Sequence, residues 1–168
     1  MLAKDCMNKN VIMITEDKSE DLSLASLVSF LSPLYSCSLF SPSTACMEAA
    51  KLLLDNDIGY LPVVKDGKII GALTDRDIAV RLVAKGKGTE TLVRDIYTKD
   101  VKYVYEDVTL EEVARNLGDL KFRRLPVVSR TKALVGVIGL GSISWHCPDL
   151  AGLALKKVTG HGVSHAGK

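Results

Sequence analysis

Chemistry in this chain has to come from a short polar run, Thr74-Asp75-Arg76-Asp77, or from a few histidines and cysteines scattered elsewhere. Thr74 and Asp77 stand three residues apart at the start of a predicted helix, 75–84. A carboxylate on a fixed helical turn can accept hydrogen bonds from two neighbouring hydroxyls, and a threonine hydroxyl beside free helix N–H groups can meet a phosphate. Acidic residues in a first turn also complement the helix dipole with no ligand present, so both readings stand at this point. Other combinations are missing. The sequence has no Ser-His-Asp or Cys-His arrangement, no Walker lysine loop and no cluster of metal-ligand residues. His146 and Cys147 are merely adjacent, and Pro148 follows directly. Cys6, Cys37, Cys46 and Cys147 form no CxxC pair and no zinc-like spacing with His146, His161 or His165, and read as free thiols. The expectation is no catalytic residue, no metal and no required cofactor.

Composition narrows the partners. With 47% hydrophobic and 25% charged residues over 168 positions, the chain can bury one compact core or two small ones. Its 22 Lys and Arg against 20 Asp and Glu leave a net charge of +2, too little to make nucleic acid or an anionic membrane an obligatory partner. Lys85, Lys87, Arg123 and Arg124 are not interleaved with aromatic residues as a nucleic-acid surface would be. Lys4, Asp5 and Lys9 occupy the place where a secretory signal needs an apolar run, and a cytoplasmic location is expected.

The elements that would position Thr74 and Asp77 emerge from an internal repeat. Leu61-Pro62-Val63-Val64 returns as Leu125-Pro126-Val127-Val128, an offset of 64 residues. Upstream, the run from Asp5 to Val11 resembles the run from Asp95 to Val101, and Glu16-Asp17 resembles Glu106-Asp107, both at an offset of 90. The first copy therefore holds about 26 extra residues between Asp17 and Glu48. Thr109-Leu110-Glu111-Glu112 fits the S/T-x-x-E box that opens a helix. Removing 20–45 joins Ser19 to Cys46-Met47-Glu48 and restores the same box, which places the insertion there. A rival alignment takes Leu39 to Ser41 as the first-repeat strand, with Pro42-Ser43-Thr44 as its turn. From Leu22 to Met47 the chain carries no charge, long enough to span a bilayer, but Pro33, Pro42, many serines and the acidic Glu20-Asp21 flank argue for a loop.

Each copy reads as β-α-β-β-α. Strands are predicted over 11–15 and 101–105, and helices over 46–56 and 110–120. The apolar stripes are Met47, Ala50, Leu53 and Leu54 in the first helix, and Leu110, Val113, Ala114 and Leu117 in the second. Hairpins follow over 60–73, through an Asp66-Gly67 turn, and over 124–138. Gly86 is the expected C-cap of the helix 75–84, and a shorter helix should begin near Gly141. The boundaries are 1–86 for the first repeat with its insertion at about 20–45, 87–92 for a linker, 93–146 for the second repeat and 147–168 for a tail. Gly160 to Lys168 reads as a frayed end.

Over about residues 4 to 145 the chain resembles a tandem pair of cystathionine β-synthase (CBS) domains, or Bateman module. The residues that carry the resemblance run from Asn56 to Val64, from Gly71 to Ile78, and from Phe122 to Val128 with Gly136-Val137-Ile138-Gly139 behind. It looks closest to small stand-alone prokaryotic pairs with Thr-Asp-Arg-Asp in one repeat and Arg-Arg-Leu-Pro in the other. The resemblance implies an α+β fold, two repeats packed about a pseudo-twofold axis with two clefts, and commonly a homodimer. It also implies an adenosine-containing ligand such as AMP, ADP, ATP or S-adenosylmethionine. On the family motif, Thr74 and Asp77 would meet phosphate and ribose, with Asp75 beside them and backbone groups of Gly59, Tyr60, Leu61 and Pro62 facing the adenine. Arg76, Arg81, Arg123 or Arg124 would neutralise phosphates. The second repeat puts Gly139 and Ser142 where the motif has Thr and Asp, so one competent site is expected, in the first repeat. The implied function is a non-enzymatic sensor that signals to an unidentified partner protein, with no nucleic acid and no membrane; the alternative is a ligand-free dimeric scaffold.

Overall fold

The protein, as a computed structural model, is described over residues 1–15 and 44–160. The elements begin with α1 (Ala3–Cys6), β1 (Ile14–Thr15), α2 (Cys46–Asp55), β2 (Tyr60–Lys65), β3 (Lys68–Thr74) and α3 (Asp75–Asp77). They continue with β4 (Thr98–Lys99), β5 (Val104–Tyr105), α4 (Leu110–Leu120), β6 (Arg124–Val128), β7 (Leu134–Gly139), α5 (Leu140–His146) and α6 (Pro148–Thr159). The fold is α+β with two sheets, as the sequence implied.

The chain forms two compact units whose boundaries are not those of the repeats. One lies within Asn10–Val101; the other joins Met1–Lys9 to the chain from Lys102 onward. The cause is an exchange of leading segments. In the first unit the sheet order is β1-β2-β3-β4, and β4, which leads the second repeat, pairs antiparallel with β3 through Gly71–Lys99 and Ala72–Thr98. In the other unit the order is β5-β6-β7, and Asn8 from the first repeat exchanges backbone hydrogen bonds of 2.9 and 3.0 Å with Val137 of β7. Ala45 bridges Leu92 just as Leu2 bridges Thr109. Residues 1–9 therefore complete the second repeat, and 93–101 complete the first.

The two offsets in the sequence reappear as strand register. Ile14 pairs with Val63 in parallel, and Val104 pairs with Val127 in the same way. This favours the run ending at Thr15, rather than Leu39 to Ser41, as the first-repeat strand; residues 39–41 themselves lie outside the described residues. One boundary is corrected. Ala45 is the N-cap of α2, and Val93 N–H donates to the carbonyl of Thr44 at 3.0 Å, so both residues belong to the repeat and the extra residues stop before Thr44. Ala45 offers no side-chain oxygen, so the restored Ser19 box is not the cap; Ser19 and residues 20–43 are outside the described residues.

Helix faces follow periodicity with one slip. The stripe Leu110, Val113, Ala114 and Leu117 is buried, and Thr109 caps α4 by accepting the N–H of Glu112 at 3.3 Å. In α2 the buried face is Cys46, Ala49, Leu52 and Leu53, one residue away from the predicted stripe, while Met47 and Leu54 are exposed. The true face opens on Cys46, a small apolar thiol that the stripe left out. The tail is corrected as well. Residues 148–159 form α6, with Pro148 in the first turn where its missing N–H costs nothing, and Ala151 and Ala154 buried in the core shared with α4. Lys157 covers Gly118 of α4 closely, since a Cβ there would lie 2.7 Å from its Cδ.

Candidate functional site

Thr74 ends β3 and caps the helix that follows. Its backbone is extended, so its hydroxyl turns back and accepts the N–H of Asp77 at 3.1 Å. Asp77 answers with Oδ2, which accepts the Thr74 N–H at 3.0 Å and the Thr74 hydroxyl at 2.7 Å. This reciprocal box fixes both side chains before any ligand arrives. The other oxygen, Oδ1, lies 3.3 Å from Nη2 of Arg81, one helical turn on. The Asp77 side chain is only 14% exposed.

A carboxylate has about four lone-pair positions. Three of those on Asp77 already have partners within the protein. Accepting both hydroxyls of a ribose would therefore displace one internal partner, and the 3.3 Å contact to Arg81 is the longest of the three.

The helix 75–84 is not regular. After the single α turn of Asp75–Asp77 it widens into a π turn over Ile78–Leu82, where the Val83 N–H is shared between the carbonyls of Ala79 and Ile78. It then tightens to a 3-10 turn over Val83–Lys85 and stops at Gly86, whose φ of 64° is the left-handed cap. Arg81 leaves the π turn toward the leading segment of the second repeat. Its Nη1 donates to the carbonyl of Ile96 at 2.7 Å. Two of the five N–H donors of this guanidinium are thus engaged within the protein.

The remaining predicted residues divide between the units. Tyr60 pairs with Thr74, and Leu61 with Leu73, so the β2 segment at Gly59, Tyr60, Leu61 and Pro62 lies beside the capped turn. Leu61 and Pro62 are buried, so only their backbone can meet a ligand there, and Pro62 supplies no N–H. Asp75 and Arg76 are exposed, and the Asp75 carboxylate accepts the Arg76 N–H at 2.7 Å. Arg123 and Arg124 are exposed in the other unit, where Arg124 pairs with Gly139. Gly139 is the N-cap of α5 without a side-chain hydrogen bond, so the turn equivalent to Thr74–Asp77 lacks both the hydroxyl and the carboxylate.

Sequence reasoning missed Ile96, whose carbonyl Arg81 reaches, and Tyr97, whose ring lies against Gly71 of β3. The repeat itself held the signal, because Tyr97 is the counterpart of Met7, and each side chain lies over a glycine of the receiving sheet, Gly71 and Gly136. Burial pushes the thiols of Cys6 and Cys46 up, helped by Asp5 and Asp95 respectively. Cys6, Cys46 and Cys147 are unbridged, and no group of three metal-ligating side chains occurs among the described residues. No described helix is long and apolar enough to cross a membrane.

A family model described as CBS domain matches residues 39–84 and 93–145. The chain is 33% identical over 121 residues, 71% of its length and 86% of the relative's, to the CBS domain-containing protein YhcV of Bacillus subtilis. Among solved structures it is similar to the CBS domain pair of protein MJ0100 in complex with 5′-methylthioadenosine and S-adenosyl-L-methionine. That pair has a TM-score of 0.65 at 26% identity, over 87% of this chain and 98% of the other. A conserved CBS domain protein of Thermoplasma acidophilum has a TM-score of 0.71 at 21% identity, over 97% of this chain and 77% of its own.

Proposed function

The chain belongs to the CBS-domain family and carries two such domains, and from that premise we propose that it is a non-enzymatic regulatory module whose first repeat binds an adenosine-containing ligand at Thr74 and Asp77. The observation that carries this reading is the preset Thr74–Asp77 pair. A hydroxyl and a carboxylate are held in fixed directions at the end of β3, beside the backbone of Gly59 to Pro62. Binding 5′-methylthioadenosine and S-adenosylmethionine is a property of the MJ0100 pair, a protein 26% identical to this one, and supports the same ligand class here. AMP, ADP and ATP belong to that class. Asp75 and Arg76 flank the site, while Arg123 and Arg124 mark the counterpart turn that has lost its polar pair. The signal would pass to a separate polypeptide, with the module itself a homodimer in the cytoplasm.

A second reading has its own observation. The Asp77 carboxylate is already engaged by Thr74 and Arg81, which is what a purely structural cap would look like. On this reading the pair is an interaction scaffold without a ligand.

A thermal-shift panel of AMP, ADP, ATP, S-adenosylmethionine and 5′-methylthioadenosine on the wild type and Asp77→Ala separates them. A ligand that binds only the folded state adds about 2.7 kcal/mol at ~100 times its dissociation constant. A shift in the wild type that disappears in a folded Asp77→Ala protein is the expected result. No shift with any of the five, in a protein shown to be folded, moves the assignment to the scaffold.

A further inference from the structure

We propose that Arg81 is a positioning residue that couples occupation of the Asp77 carboxylate to the docking of the leading segment of the second repeat, the strap from Val93 to Lys99. The ligand-dependent half of this inference rests on the reading of Thr74 and Asp77 as a binding site.

One guanidinium makes the connection. Nη2 of Arg81 faces Asp77 Oδ1 at 3.3 Å, and Nη1 donates to the Ile96 carbonyl at 2.7 Å, fifteen residues downstream in the chain. The Arg81 side chain is 44% exposed, so it can reorient without a cavity opening behind it. It departs from a π turn, the one wide turn in a helix otherwise made of α and 3-10 turns. From there residue 81 reaches both Asp77, four residues back, and Ile96.

The strap is held by sheet pairing, by core packing that includes the Tyr97 ring against Gly71, and by one side-chain bond. Its sheet contact is the two-residue strand β4, paired with Gly71 and Ala72. Val93 and Ile96 anchor it in the core, and Val93 N–H reaches the Thr44 carbonyl. Arg81 adds a side-chain bond to the Ile96 carbonyl itself, at the end of the 3-10 turn Val93–Asp95 and just before β4.

The lone-pair count gives the direction of the effect. A vicinal diol that uses both acceptor directions on Oδ1 must take the one that Arg81 now holds. Arg81 is then left with Ile96 alone, and its position over the strap is no longer fixed from the Asp77 side. The strap leads directly into the repeat whose own turn lacks the polar pair. A change at the one equipped turn is thereby delivered to the chain that enters the other repeat.

Hydrogen exchange on the full chain tests this in two stages. In the free protein, Arg81→Met should raise exchange of the Ile96 to Lys99 amides by about tenfold or more, the scale of one hydrogen bond from a charged donor. Arg81→Lys should restore part of the protection. Asp77→Asn should raise exchange at the same amides, and by no further amount when Arg81→Met is already present. Equal protection in wild type and Arg81→Met, or additive effects of the two changes, overturns the coupling whether or not any ligand binds. In the second stage, S-adenosylmethionine or AMP, at saturation judged by calorimetry, should alter strap exchange in the wild type. In Arg81→Met it should bind and leave the strap unchanged. A strap response that is the same in both proteins overturns the ligand-dependent half. Absence of binding to the wild type overturns the binding-site reading and, with it, that half, while the free-protein result stands by itself.

Discussion

The ring of Tyr97 occupies the space that a side chain on Gly71 would need, and the Thr98 carbonyl would lie only 2.6 Å from a Cβ placed there. Replacing this glycine pushes on an aromatic ring and a backbone carbonyl, neither of which can give way cheaply. Gly71→Ala should destabilise the Asn10–Val101 unit by about 1–3 kcal/mol, the usual range for overpacking. Its counterpart Gly136 faces the thioether of Met7, a flexible group, with the Asn8 carbonyl at 3.0 Å. Gly136→Ala should cost less, and urea unfolding of both variants will rank them.

Thr74 and Asp77 serve the fold whatever they bind. Thr74→Ala removes both the hydroxyl that caps Asp77 N–H and a donor to Oδ2, and should cost about 1 kcal/mol. Thr74→Ser keeps the reciprocal box and should remain near wild type in stability. Paired with the ligand panel, the serine variant isolates the hydroxyl: retained thermal shifts are expected for Ser and lost shifts for Ala.

Alkaline pH should loosen both cores through their thiols. Cys6 and Cys46 have folded values raised above the ordinary 9.0, because burial penalises the thiolate. The unfolded chain therefore loses these protons first as pH rises. Their contribution is fully present below pH 9.0 and is lost progressively as pH climbs through that value toward the raised ones. Melting temperatures at neutral pH and near pH 10 should diverge less in a Cys6→Ala, Cys46→Ala double variant than in the wild type.

Removing α6 should unfold far more than a tail. Ala151 and Ala154 are buried in the core shared with Leu110 and Leu117, so termination after Cys147 should abolish cooperative unfolding of that unit. The ion pair of Lys157 with Asp119 at 2.8 Å is exposed on both sides. Asp119→Asn should change stability by less than about 1 kcal/mol, which separates packing from charge as the source of the helix's contribution.

Much of this was legible in the sequence because it depends on near neighbours along the chain. The Asp66-Gly67 turn, the α4 stripe and the reciprocal distance between Thr74 and Asp77 are local patterns. The 90- and 64-residue offsets even anticipated the pairing of Ile14 with Val63 and of Val104 with Val127. The exchange of leading segments was not legible. The runs at Asp5 and Asp95 are alike, so periodicity and propensity are equally satisfied whichever sheet each one joins; the choice is made by tertiary packing. The α6 helix was missed for another reason: 147–168 was read as a tail lying beyond the second repeat, although a proline such as Pro148 commonly opens a helix. Arg81 was one of four arginines offered for a phosphate; its bond to the Ile96 carbonyl joins residues fifteen apart in the chain, a tertiary contact that no local pattern signals.

The exchange also sets an order of events during synthesis. The strand residue that Asn8 pairs with, Val137, is made 128 residues after Lys9. At roughly 5–20 residues per second that is a wait of about 6 to 25 seconds. Asn10–Val101 is a continuous stretch and can close while the leading segment is still unhoused. Through that interval Ala3, Cys6 and Met7 have no sheet to cover them, so the nascent chain offers a short apolar site to a chaperone. This segment, made before the strands of either sheet, is among the last to find its place.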